Sequence, residues 1–290
     1  MRNQNQVSWC FAHSAADILQ FAHQLDEQVS AADIAILYSK SNASRFMTSL
    51  KKILNRNYGK IPSQTGFIKI ASDLALKDGY CPESALPSEE WKKITLNGEI
   101  SQVEISKAIL ELLKLHQDVK KGNYPTSASL PWHFSFKNID RERFFDLLEI
   151  SSSKNLFLKL REFACGTERK KFPFQIRTVF KINTGNILSQ IDSEFTQGNP
   201  VTIDFFGDVL RNTENPKKSI DELHTVLLYG RKFDPIKNDC VYLIKDSYGE
   251  QCTKYDASLE CESGYVWMPG KKLRRAATSI LTVRQEAGAL

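Results

Sequence analysis

The stretch "RNQNQVSWCFAHSAADILQF" places a single thiol, Cys10, at the mouth of an apolar helical pattern. Phe11, Ala15, Ile18, Leu19 and Ala22 fall on one face at helical spacing. Ser8 as N-cap would put Cys10 in the first turn. Backbone N–H groups and the helix dipole favour negative charge at that end, and a thiolate is negative. A cysteine in this setting is either a nucleophile or a small buried hydrophobe, and a base elsewhere in the chain decides between them.

Five histidines are available. His13 and His23 lie on the first helix itself, His116 on the edge of the amphipathic run "VEISKAILELLKLHQDVKKG", and His133 in the aromatic-rich loop "PWHFSF". His224 differs, because it opens "LHTVLLYG", an apolar run that reads as a buried strand. A second strand, "CVYLIKDSYG", ends at Asp246. Two neighbouring antiparallel strands would set His224 beside Asp246. A carboxylate on one imidazole nitrogen fixes the tautomer and turns the other nitrogen towards a thiol. The same spacing also fits a core histidine bonded to a surface aspartate.

Such a constellation needs a helix for the thiol and a β-rich unit for the base. The chain has 290 residues, enough for one large domain or two lobes with real cores. Its 41% hydrophobic and 25% charged content is ordinary for a globular protein. A net charge of +5 is too small to argue for nucleic acid. The Lys271, Lys272, Arg274, Arg275 cluster reads as a solvated face. No apolar run reaches membrane-spanning length, and the first residues lack a signal-peptide pattern. None of the six cysteines forms a CxxC pair, and neither HExxH nor GxSxG occurs, so no metal or cofactor is expected. With Cys10 kept as a thiol, five cysteines remain, so at least one more must be free or paired between chains. Cys252 and Cys261 flank the turn-rich "TKYDASLE", where either a disulfide or two reduced thiols would fit.

In order along the chain, several stretches resemble a papain-type cysteine peptidase, in a bacterial-looking variant. "NQNQVSWCFAHSA" resembles the segment from the oxyanion glutamine to the nucleophile, which implies those roles for Gln4 and Cys10. "SQTGF" resembles the stretch lining the substrate groove, with Gly66 in place as a substrate-binding residue. "DGYCPESALPS" and "QGNPVTIDF" resemble the segment after the next helix and the strand entering the second lobe. "LHTVLLYG" carries the catalytic histidine onto His224, "YLIKDSYG" the orienting residue onto Asp246, and "ECESGYVWMP" resembles the closing strand. The departures are specific. Asp246 stands for the family's asparagine, Tyr248 for its shielding tryptophan, and Gln6 and Val7 fill the place of its upstream cysteine.

The resemblance implies an α+β fold of two lobes. Residues 1–87 would form a helical left lobe with the nucleophile, and residues 179–290 a β-rich, barrel-like right lobe with His224 and Asp246. Cys10 and His224 stand about 210 residues apart, against about 130–150 in the papain template. The surplus falls in 88–178, read as a helical insertion. There Ser101 and Glu104 make a capping box for a helix to about Lys121, and Asp140 caps a second helix.

The implied function is peptide-bond hydrolysis through a Cys-His-Asp triad with a glutamine oxyanion donor, acting on peptide or protein substrates. The alternatives are a catalytically weak papain-fold peptide-binding protein and an acyl transferase using the same triad. Oligomeric state is not legible. Only Met1, Arg2 and Asn3 precede Gln4, so the sequence predicts an N-terminally incomplete chain whose Gln4 is held by local contacts alone. A signal lying upstream would make it secreted or periplasmic.

Overall fold

The computed structural model describes residues 3–4, 7–41, 66–123, 132–153, 155–216 and 223–285. Helix α1 (Cys10–Ala22) is buried continuously from Cys10 to Leu19, more than a one-faced pattern requires. An all-round buried helix must lie between two layers. Its apolar face packs on α2 (Ala31–Ser39) and α3 (Ile68–Asp78). Its polar side meets the β layer, where Ser14 Oγ donates to the Thr225 carbonyl at 2.8 Å and Lys245 pairs with Asp17 at 3.1 Å. The polar side of this helix thus finds partners across the seam, where Leu227, Leu281 and Val283 of the sheet also join the helical core. Ser8 is not its cap, since Trp9 occupies the N-cap position and makes no side-chain cap, so Cys10 is the first helical residue.

The β layer is a seven-stranded antiparallel sheet, built from β4 (Ile176–Ile182), β5 (Val201–Phe206), β6 (Leu223–Asp234), β7 (Asp239–Lys245), β8 (Glu260–Glu262), β9 (Tyr265–Pro269) and β10 (Ala277–Gln285). Their order is β4-β10-β5-β6-β7-β9-β8. The β6–β7 register pairs Leu227 with Lys245, so the start of β6 faces the chain just past the end of β7. Ile203, Phe205, Val226, Ile244, Val266 and Ile280 fill the core of this lobe. A helix at Ile187–Thr196 and another at Gly270–Ala276 cover it.

The two expected helices form in residues 88–178, at α4 (Ile105–Lys120) and α5 (Arg141–Ile150), and a third that the sequence pattern does not predict follows at α6 (Leu156–Cys165). Asp140 caps α5 by accepting from Arg143 N at 2.8 Å. A three-stranded sheet that the sequence pattern does not predict accompanies them, with β1 (Glu90–Thr95) between β2 (Ile100–Glu104) and β3 (Trp132–Ser135). His133 thus sits in a strand rather than a loop. The Ser101–Glu104 capping box does not form, because both residues belong to β2, which runs directly into α4. The Ile105 amide instead donates to the Glu89 carbonyl at 2.7 Å.

This segment shares one core with α1–α3, and two further ties fix it there. A Cys81–Cys165 disulfide closes 84 residues of sequence, worth about 4.5 kcal/mol in chain-entropy terms. Asp33, 1% exposed, accepts from Arg161 and Arg169, each at 2.6 Å. Among the described residues no helix is long and apolar enough to cross a membrane.

Candidate active site

Cys10 lies at the first turn of α1, His224 at the start of β6 and Asp246 one residue past β7. All three are buried, at 7%, 5% and 1% exposure. His224 Nε2 and Asp246 Oδ1 are 2.8 Å apart. That contact occupies one ring nitrogen, and the Cys10 side chain is close enough to the imidazole to be among the groups that raise its pKa. Only Nδ1 is left for the thiol.

Asp246 is itself held on both oxygens. Oδ1 also accepts from the Ser247 amide at 2.7 Å, and Oδ2 accepts from the Tyr255 hydroxyl at 3.2 Å. A carboxylate has no N–H, so each lone-pair site needs a donor once buried. Tyr255 supplies one of those donors. Tyr248 stacks on the imidazole with ring centroids 4.9 Å apart and planes 9° from parallel. Phe205 of β5 packs against the same ring at 5.8 Å.

Burial alone would push the His224 pKa down. The electrostatic effects of Tyr248 and Asp246, and the hydrogen bonds to Asp246 and Cys10, outweigh it and hold the pKa well above 6.5. His224 is therefore poised as a cation next to a thiol.

Gln4 is 3% exposed and is not held by local contacts alone, which corrects the sequence expectation. Its amide donates to the Ser247 carbonyl at 2.7 Å, and its side-chain Oε1 accepts from Ser247 Oγ at 2.6 Å. Asn3 forms a bridge with Tyr248. The oxygen of the Gln4 amide is thus committed, and its NH₂ is the end that can donate elsewhere. Ser247, directly after Asp246, couples the glutamine to the triad-like group.

Gly66 approaches the site through Phe11. A Cβ at Gly66 would lie 2.7 Å from that ring, so any side chain would displace the residue following Cys10. Phe11 in turn packs on Tyr38 at 4.8 Å, and Tyr38 accepts a hydrogen bond from the Phe67 amide at 3.1 Å.

A cleft of about 280 Å³ opens beside His224, walled by Leu210, Arg211, Leu223, Tyr248, Lys254 and Tyr255. Arg211, Ser247, Lys254 and Tyr255 were not singled out by sequence reasoning. The signal for the last two is the Cys252–Cys261 pair. The structure joins these cysteines in a disulfide, which closes the loop bearing Lys254 and Tyr255. Cys10 and Cys240 are the free thiols. Asp33 lies near Cys81 and Cys165 in a grouping of metal-ligand types, but both sulfurs are spent in the disulfide and the carboxylate is paired with arginines.

No protein-family model matches the sequence, and no curated protein does. Solved structures do match. PepW from Lactobacillus rhamnosis is 13% identical, with a TM-score of 0.50 over 97% of this chain and 79% of that one. Digestive procathepsin L 3 from the Tenebrio molitor larval midgut is 14% identical, with a TM-score of 0.44 over 96% of this chain. A mite-allergen structure, from work on Blo t 1 and Der p 1, is 12% identical, with a TM-score of 0.47 over 98% of this chain. The chain spans 64% of the procathepsin and 66% of the allergen chain. The α+β fold is that of papain-like cysteine peptidases; identity at this level speaks to fold alone.

Proposed function

We propose that the protein is a thiol peptidase that hydrolyses peptide bonds with Cys10 as nucleophile, His224 as acid–base and Asp246 as its orienting group. The observation that carries this reading is the buried His224–Asp246 contact, Nε2 on Oδ1 at 2.8 Å, beside a Cys10 side chain that helps to raise the His224 pKa. A thiolate–imidazolium pair is an activated nucleophile.

The Cys10 thiolate attacks the scissile carbonyl carbon, and the carbonyl oxygen becomes an oxyanion. The Gln4 side-chain NH₂ and the Cys10 backbone N–H, at a helix start that no side chain caps, donate to it. His224 passes its proton to the leaving nitrogen, the C–N bond breaks, and a thioester remains on Cys10. Neutral His224 then takes a proton from water, the hydroxide attacks the thioester, and the thiol returns as the carboxylic acid leaves. Asp246 keeps the ring oriented through both proton transfers. Gly66 is proposed to line the substrate groove through its backbone, since the Phe11 ring fills the place of a side chain there.

The test is a peptide library incubated with the wild-type chain and with Cys10→Ala, read by mass spectrometry. Cleavage that requires Cys10 and consumes water supports the reading. Acyl transfer to added amines without hydrolysis assigns the triad to a transferase, and binding without turnover assigns it to recognition.

A further inference from the structure

Helix α1 meets the β layer along one stripe. Cys10, Ser14, Asp17 and Phe21 follow one another at spacings of four, three and four residues, which keeps them on one face of the helix. Each stands against the other lobe. Cys10 lies beside His224 at one end of the stripe, and the Phe21 and Tyr229 rings lie 6.3 Å apart at the other. Between them, Ser14 Oγ donates to the Thr225 carbonyl at 2.8 Å and Asp17 pairs with Lys245 at 3.1 Å. The Ser14 contact is the one next to the chemistry, because Ser14 is one helical turn from Cys10 and Thr225 directly follows His224.

Burial alone does not account for this contact. Ser14 is 4% exposed, so its hydroxyl needs a partner. A serine inside a helix ordinarily finds one on the carbonyl four residues before it, which here is that of Cys10. Ser14 instead reaches across to the other lobe. Thr225 is held in turn from the sheet. Its Oγ1 donates to Asp204 Oδ1 at 2.6 Å, and Ser279 Oγ donates to Asp204 Oδ2 at 2.7 Å. Asp204 faces Thr225 in the β5–β6 register, and Ser279 belongs to β10, so the carboxylate ties three strands together. Its charge also acts on His224. Among the described residues β7 joins β6 only from Leu227 onwards, so β5 is the one strand paired with β6 at His224 and Thr225. That ladder fixes the base against the sheet but not against α1. The Ser14 hydroxyl supplies the missing tie.

We propose that Ser14 and Thr225 are positioning residues, and that the Ser14–Thr225–Asp204 clasp sets the approach of the Cys10 thiol to the His224 imidazole. The proposal rests on the reading of these two groups as nucleophile and base. A proton passes between them only within hydrogen-bond reach, and the attraction between thiolate and imidazolium falls with distance. A seam that opens slightly at Ser14 therefore leaves Cys10 an ordinary thiol, although both side chains are still present.

The experiment is alkylation of the full chain by iodoacetamide as a function of pH, with Cys10 followed by peptide mapping. Ser14→Ala should label about tenfold more slowly than wild type at pH 6, with the acid limb of its profile moved towards the ordinary thiol value of about 8.5. Ser14→Thr keeps the hydroxyl and should restore most of the rate. Thr225→Val keeps the shape without the donor to Asp204 and should slow labelling severalfold. Phe21→Ala, at the far end of the same stripe, should leave the profile in place. A serine that only stabilises the fold would lower the denaturation midpoint and leave the Cys10 profile unmoved; that result overturns the proposal while the peptidase reading stands. If Ser14→Ala does not fold, Thr225→Val decides by the same criterion. Wild-type Cys10 that labels no faster than a model thiol at any pH defeats both.

Discussion

Cys10 and His224 meet across the seam between the lobes, but they are seated by different physics. Cys10 is held by packing. It begins a helix buried through Leu19, its neighbour Phe11 is pressed between Gly66 and Tyr38, and no side chain caps the helix end. His224 is held by a polar chain that runs from the imidazole to Asp246 and from there to the Ser247 amide and the Tyr255 hydroxyl. A nucleophile mainly needs a fixed position and an uncommitted anion site. An acid–base group needs its proton placed on a stated nitrogen, which apolar packing cannot do. The two seats should therefore fail in different ways when mutated.

The largest effect is expected on the polar side. Asp246→Ala frees the ring and removes the counter-charge, and turnover should fall by about 10²–10⁴-fold, with a circular dichroism spectrum like that of wild type. Asp246→Asn sharpens the contrast. Its amide oxygen can still accept from His224 and the Ser247 N–H, and its NH₂ can donate to the Tyr255 oxygen. Most of the rate should survive, while the alkaline limb of the pH profile moves to lower pH, because an amide stabilises imidazolium less than a carboxylate does. An unchanged rate in Asp246→Ala would remove Asp246 from the site.

On the packing side, Gly66→Ala should act through stability. The added methyl lands 2.7 Å from the Phe11 ring, so the ring or the 66–67 backbone must shift. Overpacking of this kind costs about 1–3 kcal/mol, read as a lower denaturation midpoint. The pH dependence of whatever activity remains should be unmoved, since no proton-bearing group is touched. A shifted pH profile with unchanged stability would reverse the comparison.

The smallest effect is expected from Tyr255→Phe, which removes one donor from Asp246 and leaves the ring in place. Loss of one such hydrogen bond is worth about 1–3 kcal/mol when a buried acceptor is left unpaired. Activity should fall by about tenfold, with Asp246→Asn partly restoring it in the double variant, because an amide carries no charge that needs the missing donor. Equal activity in Tyr255→Phe and wild type would confine Tyr255 to packing.

The sequence made the His224–Asp246 pairing legible because both sit at the ends of long apolar strands whose antiparallel pairing is a local matter. The anchor of Gln4 was not, since Ser247 lies 243 residues away. Tyr255 was hidden for another reason: it lies in an irregular loop whose course depends on the Cys252–Cys261 link. The small sheet β1–β3 escaped because its strands are short and mostly polar; β1 buries Trp91 alone and β2 buries no residue fully. The α1 pattern gave a helix but understated its burial, because Ser14 and Asp17 find partners in the other lobe rather than in water.

The state of the Cys10–His224 pair bears most directly on the central claim. The folded His224 pKa is raised above 6.5, so the stability contributed by protonated His224 is complete below about pH 6.5 and is lost as pH rises through the folded value. Alkylation by iodoacetamide at pH 6, followed by peptide mapping, reads this without assuming a substrate. Cys240, the other free thiol, is the internal control. The account predicts that Cys10 is labelled far faster than Cys240 and than a model thiol, and that His224→Ala abolishes the advantage. Labelling of Cys10 at the model-thiol rate or below, with His224→Ala unchanged from wild type, would contradict it.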